Sequence, residues 1–278
     1  MGTAELTELE SKSKCPKWEL LSATAIKLIA VVFMFMDHIH QMFVTAGAPI
    51  WLTMVGRLVF PMFLFTASES FYYTHNKRKY LQRLLFASWG MTIFTFSLGQ
   101  IIPNENVVLM NNAFSTFFVT GLYMMFWDWF LEGIRLKKAK QIVKSILCCF
   151  IPILCAFPLL LVAMLSANEN IPTFVIRILA TIALLVPNIL TVEGGFVLVL
   201  LGVLFYIFRQ NRIIQILVLL IMSVLIYIIG NKIQCIMGLA AIPIFLYNGK
   251  RGYGMKKFFY IFYPAHIGIL YIISAMIM

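Results

Sequence analysis

The sequence predicts an all-α fold, a polytopic transmembrane helix bundle of about nine or ten membrane segments, some of them short or broken. Three observations predict it. The 278 residues are 62% hydrophobic and only 12% charged, whereas a soluble domain lies nearer half apolar. Apolar runs of roughly 20 residues, the length that crosses a bilayer at about 1.5 Å per residue, recur along the chain. The basic residues fall between those runs rather than along one face of a soluble core.

Each element follows from the runs. Residues 1–20 are a polar tail, and 21–278 form one transmembrane domain. The first apolar run is too long for a signal peptide and has no small-residue cleavage pattern, so it is expected to stay as an anchor. The expected spans are 21–44, 50–73, 79–101, 113–131, 142–165, 172–190, 193–208, 213–230, 233–247 and 257–277. Two of these, 193–208 and 233–247, are short for a crossing and are expected to be broken or re-entrant, which is tolerated only where protein or a wet cavity satisfies the backbone.

Net charge is +11, from 22 basic and 11 acidic residues. In a soluble chain that balance would point to nucleic acid. Here the cations sit between apolar runs, as the positive-inside rule requires, so membrane lipid is the expected surrounding and nucleic acid is not a partner. Lys12, Lys14 and Lys17 precede the first span; Lys77, Arg78, Lys79 and Arg83 follow the second; Arg135, Lys137, Lys138 and Lys140 follow the fourth. These place the N-terminus in the cytoplasm and the chain in the cell membrane. If every segment crosses, Lys250, Arg251, Lys256 and Lys257 fall outside. If one segment between 172 and 208 stops short, they return to the cytoplasm, which is the preferred arrangement. The five cysteines are odd in number and unevenly spaced, which indicates neither a disulfide framework nor a metal site.

The acids that lie in or beside spans are Asp37, Glu69, Asp128 and Glu193. Asp128 and Glu69 are near span ends, within reach of water or headgroups. Asp37 is not: it sits in MFMDHIHQMF. An ionised side chain at mid-membrane costs about 2.5–3.5 kcal/mol, so such a residue faces the bundle and has a partner. Arg57 is the expected one. His38 lies a few residues before the turn TAGAP and Arg57 a few after it, which puts them at similar depth. An Asp37–Arg57 pair would offset the burial of both charges, either as a helix clamp or as part of a site.

An imidazole free in water titrates near neutral pH, and His38, beside a carboxylate, is the candidate proton carrier. A second imidazole, His266, sits in FYIFYPAHIGILYII, where Pro264 removes a backbone donor and kinks the helix; it is equally a core or a site residue. The loop YNGKRGYGMKK, with Asn248, Lys250 and Arg251, suits phosphate binding through charge and backbone N–H groups, or serves as a plain cytoplasmic anchor. The amides of NENVVLMNN could line an outer mouth.

Taken in order, MFMDHIHQMF, VGRLVFPMFLFTASESFYYTHNKRKYLQRLL, VEGGFVLVLLGVLFYIF and FLYNGKRGYGMKKFFYIFYPAHIGILYII resemble the TraX family, whose namesake acetylates the N-terminus of conjugative pilin. That family in turn resembles the membrane acyltransferases of the acyltransferase type 3 group. Asp37 and His38 match the family's Asp-His, Arg57, Phe60 and Pro61 its Gly-Arg and Phe-Pro element, and Glu69 an acid ending the second span. Asn76, Tyr80, Arg83 and Leu84 match the cytoplasmic element that follows, and Tyr263, Pro264 and His266 the last span's Tyr-Pro-Ala-His. Ser70 and His40 stand where the pattern has Gly, and residues 100–190 depart from it.

The resemblance implies a membrane acyltransferase that passes acetyl from acetyl-CoA, without a metal, to an amine or hydroxyl on a surface protein of pilin type or on a cell-surface glycan. His38 is then the base or acyl carrier, Asp37 orients or balances it, and Arg57 holds the site or polarises the acyl carbonyl. Glu69, Arg83, Glu193, Asn248, Lys250, Arg251, Tyr263 and His266 are the expected substrate and cofactor contacts. The alternative is a proton-coupled transporter or flippase that uses Asp37, His38 and His266 as a relay; the lack of an internal repeat in the sequence speaks against it.

Overall fold

The computed structural model describes residues 19–167 and 170–277; the polar tail expected in the cytoplasm lies almost wholly outside the described residues. All regular elements described are helical. Five stretches are long and apolar enough to span a bilayer: Ala23–Phe43, Trp51–Tyr72, Lys77–Ile101, Ala139–Leu165 and Lys256–Ile277. Shorter apolar helices cover Thr173–Leu184, Gly195–Ile207, Arg212–Ile228 and Gln234–Phe245. The chain is a multi-pass membrane protein.

Helix α1 (Ala23–Phe43) starts at Ser22, whose hydroxyl accepts from the Ala25 N–H. The second span is two helices, α2 (Trp51–Gly56) and α3 (Val59–Tyr72). The break falls one turn before Pro61, which has no N–H to offer the Arg57 carbonyl. Asn76 caps α4 (Lys77–Ile101) and Asn112 caps α5 (Ala113–Arg135). The expected span at 142–165 is a chain of three pieces, α6 (Ala139–Cys148), α7 (Ile151–Leu154) and α8 (Phe157–Leu165), the last two opening on Pro152 and Pro158. Most of its large apolar side chains are exposed, as a lipid-facing span's are.

Helix α9 (Thr173–Leu184) has 12 residues, about 18 Å of rise, too little to cross. The chain turns back at Pro187–Asn188 and brings the Glu193 carbonyl to the Thr116 hydroxyl near the start of α5. Helices α10 (Gly195–Ile207) and α11 (Arg212–Ile228) then run as an antiparallel pair. The expected broken segment at 233–247 is a 3₁₀ turn, Gln234–Ala240, followed by α12 (Ala241–Phe245).

The last helix, α13 (Lys256–Ile277), packs on α1 and α4. Its preceding loop closes on the start of α1. The Lys250 carbonyl accepts from the Ala23 N–H at 2.9 Å, the Arg251 carbonyl from the Thr24 N–H at 3.1 Å, and the Tyr253 carbonyl from the Thr24 hydroxyl at 2.7 Å. These carbonyls take up donors that a helix start leaves without partners. The loop therefore lies at the same end of the bundle as the start of α1. Of the two arrangements open from the sequence, this is the one in which a segment between 172 and 208 stops short, and both helices in that stretch are short, 12 residues in α9 and 13 in Gly195–Ile207.

One apolar cluster joins α1, α3, α10, α11 and the 3₁₀ turn, with Ile26, Phe65 and Phe205 at its centre. A second joins α1, α4 and α13 through Met42, Tyr263 and Ile267. Between them lies a cavity.

Candidate functional site

The cavity has a volume of about 630 Å³. At one end it is lined by Lys27, Ser70, Tyr80, Lys256 and Tyr260, residues at the first turns of α1, α4 and α13 and the last turn of α3. At the other end are His40, Gln41, Thr53, Met110, Asn111 and Gln234. His38, Glu193, Asp37 and Arg57 line it further in. Lys27 and His38 are 11 positions apart on α1, about 16 Å of rise, so the imidazole is deep in the bundle.

Asp37 and Arg57 meet as the sequence predicts. Arg57 Nη2 donates to both carboxylate oxygens, at 2.9 and 3.1 Å. Its Nε donates to the Thr53 carbonyl at 3.1 Å, Nη2 also to the Thr53 hydroxyl at 2.8 Å, and Nη1 to Gln234 Oε1 at 3.3 Å. Gly56 makes this possible: a Cβ there would overlap the Asp37 carboxyl. The guanidinium is thus held on four sides, and Asp37 serves Arg57 rather than His38.

His38 is oriented by the other imidazole. Its Nδ1 is 2.7 Å from His266 Nε2, and His266 Nδ1 is 2.6 Å from the Phe262 carbonyl. The direction of this chain is fixed at its end. A carbonyl only accepts, so His266 Nδ1 carries a proton and its Nε2 has the lone pair. His38 Nδ1–H therefore donates to it, and His38 Nε2 keeps a lone pair. The Asn111 amide approaches that lone pair at a long 3.4 Å, while it exchanges hydrogen bonds of 3.0 and 2.9 Å with Gln41. Both imidazoles are buried, and the His266 ring is stacked on Phe262 at 4.6 Å between centroids. His266 stands behind His38, without lining the cavity.

Tyr263 accepts from the Ala113 N–H at 3.0 Å and donates to Glu193 Oε2 at 3.2 Å. The pair Gly194–Gly195, at φ +78° and +64°, turns the chain from Glu193 into α10, and only glycine adopts two such angles in succession at low cost.

The remaining expected contacts fall elsewhere. Glu69 does not line the cavity; the charges near it are Arg212 and Arg209. Asn248 turns its own loop, its Oδ1 accepting from the Lys250 N–H. Arg83 stands near Tyr80 and Tyr260, and Arg251 near Lys27, so both are beside the cavity without lining it. Lys250 lies in the loop on α1. Asp128, expected simply to meet water, binds Lys77 at 2.5 Å and the Tyr206 hydroxyl at 2.7 Å. Sequence reasoning passed over Lys27, an ordinary flanking cation by position, and read Lys256 only as part of the basic loop YNGKRGYGMKK. It also passed over Gln234, which only the fold brings to Arg57.

The profile of the TraX protein family matches residues 22–149 and 144–274. The chain belongs to the TraX family. The match runs through 100–190, so that stretch, which departs from the pattern as read from the sequence, is part of what the TraX family shares. The chain is also 28% identical over 259 residues to the probable fimbrial assembly protein FimC, serogroup H1, of Dichelobacter nodosus, covering 90% of this chain and 94% of that protein. No solved structure matches this TraX-family chain. Of the residues that carry the resemblance, Asp37, His38, Gly56, Arg57, Phe60, Tyr80, Leu84 and Tyr263 line the cavity and His266 stands directly behind it, whereas Glu69 and Arg83 do not line it.

Proposed function

We propose that this chain is an acyltransferase of the cell membrane, related to the acyltransferase type 3 enzymes, that moves acetyl from acetyl-CoA to an amine or hydroxyl of a surface protein or glycan. The observation that carries the reading is the lone pair on His38 Nε2, fixed by a chain of two hydrogen bonds that ends on a backbone carbonyl. A general base needs that lone pair in place before the acceptor arrives, and such a base contributes about 10²–10⁴-fold in rate.

Donor and acceptor enter from opposite ends. The Lys27–Lys256 end is cytoplasmic by the positive-inside rule and gathers cations with no carboxylate at ion-pair distance among the described residues. It suits the phosphates of CoA. A cavity of this volume lies in the range that holds a drug-sized ligand, about 300–1,000 Å³, so it takes the acyl arm and leaves the nucleotide at the mouth. The acceptor hydrogen goes to His38 Nε2, its heavy atom attacks the acetyl carbonyl, the C–S bond breaks, and the thiolate takes the proton back from His38. The similarity to a probable fimbrial assembly protein of Dichelobacter nodosus favours an acceptor in fimbrial assembly.

The test is transfer of radiolabel from acetyl-CoA to peptide and glycan acceptors by purified protein in detergent. Wild type is expected to transfer, and His38→Ala to fold with transfer lower by about 10²–10⁴-fold. Full transfer by His38→Ala overturns the site. Proton-coupled uptake into vesicles without CoA, and no transfer, overturns the reaction in favour of transport.

A further inference from the structure

The densest group of cations lies outside the cavity, where α5 gives way to α6. Arg135, Lys137, Lys138, Lys140 and Lys144 follow one another there, and the chain has no acid from 133 to 168. All five are exposed, and among the described residues none has a carboxylate within ion-pair distance. Glu132, the acid just before them, accepts from Gln141 Nε2 at 2.9 Å. Lys77 at the start of α4 binds Asp128 near the close of α5, so the group stands at the end of the bundle that the positive-inside rule assigns to the cytoplasm.

The helices gain nothing from this charge. Lys137 holds φ +51°, the left-handed conformation that ends α5, where glycine would escape the crowding of a Cβ. Lys140 and Lys144 are four apart on α6, and like charges at that spacing repel. An anion between the two lysines would reverse the repulsion.

Below the lysines the same face is apolar. Helix α6 turns Gln141 and Ile142 to α5 and buries Ser145. Lys140, Val143, Lys144, Leu147, Cys148 and Ile151 share the outward surface, which continues past the bend at Cys149–Phe150 into α7. Val143, Leu147 and Ile151 are exposed. The Lys144 ammonium lies 5.8 Å from the centroid of the Trp129 ring, and tryptophan is a residue of the headgroup level. Cations at that level, continued at helical spacing by apolar side chains, match an amphiphile with a negative head. A free phosphate would use only the lysines, and a neutral lipid only the apolar side chains.

We propose that this outer face of α6 and α7 seats one anionic glycerophospholipid, its phosphodiester between Lys140 and Lys144 and an acyl chain along Val143, Leu147 and Ile151. The seat does not depend on the acyltransferase reading. Of the five long apolar stretches, Ala139–Leu165 has the smallest buried share, so the lipid would fasten the span with the least protein around it.

The experiment is a lipid titration of the full chain in detergent, followed by native mass spectrometry, with dioleoyl-phosphatidylglycerol and dioleoyl-phosphatidylcholine as probes. Wild type is expected to take up the first phosphatidylglycerol more tightly than phosphatidylcholine. Lys140→Gln with Lys144→Gln should weaken that first binding about 25-fold, or about fivefold per lysine, and leave phosphatidylcholine unchanged. Lys140→Arg with Lys144→Arg should keep the preference. Arg78→Gln with Lys79→Gln, which removes two exposed cations at the same end, should leave it intact. Equal binding of the two lipids to wild type overturns the seat. An equal loss in the two Gln pairs also overturns it, in favour of diffuse attraction to a basic surface. Full displacement of the lipid by an equal concentration of glycerophosphoglycerol, which has the head and no acyl chain, overturns it in favour of a plain phosphate site.

Discussion

Replacing His266 by Phe tests the two-imidazole arrangement directly. The new ring keeps the stack on Phe262 but cannot accept from His38 Nδ1, now 2.7 Å from His266 Nε2. Two consequences follow. The buried Nδ1–H loses its partner, which costs about 1–3 kcal/mol, and nothing then holds the lone pair on Nε2. When His38 takes a proton in the transition state, the bond lost is one from a charged donor, worth about 1.5–3 kcal/mol. At about 1.36 kcal/mol per decade, kcat should fall roughly 10- to 150-fold. The Michaelis constant for acetyl-CoA should not change, because His266 does not line the cavity. His266→Gln should recover much of the loss, since an amide can donate to the Phe262 carbonyl and accept from His38. The assay is steady-state transfer of labelled acetyl, with circular dichroism to check the fold. Full kcat in His266→Phe, or the same loss in Phe and Gln, would refute the reasoning.

Gly56→Ala should lower thermal stability in detergent by about 1–3 kcal/mol, because its Cβ would overlap the Asp37 carboxyl and drive it from Arg57; an unchanged melting curve would refute the close approach. Lys27→Ala combined with Lys256→Ala should raise the Michaelis constant for acetyl-CoA and flatten its salt dependence with little effect on kcat, as expected of a screened phosphate contact. Tyr206→Phe should cost about 1 kcal/mol in a melting experiment, since its hydroxyl joins Asp128 and Lys77 in a partly exposed cluster.

The Asp37–Arg57 pair was legible because both residues lie on one hairpin, where counting rise from a turn gives depth. The broken segment at Gln234–Phe245 was legible from its length alone. The partner of His38 was not, because 228 residues separate it from His266 and nothing local says that α1 and α13 are neighbours. The role of Asp37 toward His38 came from the resemblance alone; consecutive helical positions diverge by about 100°, and the carboxylate turned to the guanidinium. Glu193 stood out as an acid at a span edge, but its place depends on α9 turning back, which apolar composition does not report. Lys27 was invisible for the opposite reason, since a cation one turn inside a span usually reaches back to the headgroups.

The loop at 248–253, bonded to the opening turn of α1, has a mechanical consequence. The helices carrying the two histidines are pinned together at one shared end, so their relative travel is measured from a common stop. A slip of a single step, about 1.5 Å, would part imidazoles that touch at 2.7 Å. Proteolytic nicking of that strap, with both imidazoles left in place, is therefore expected to loosen their contact.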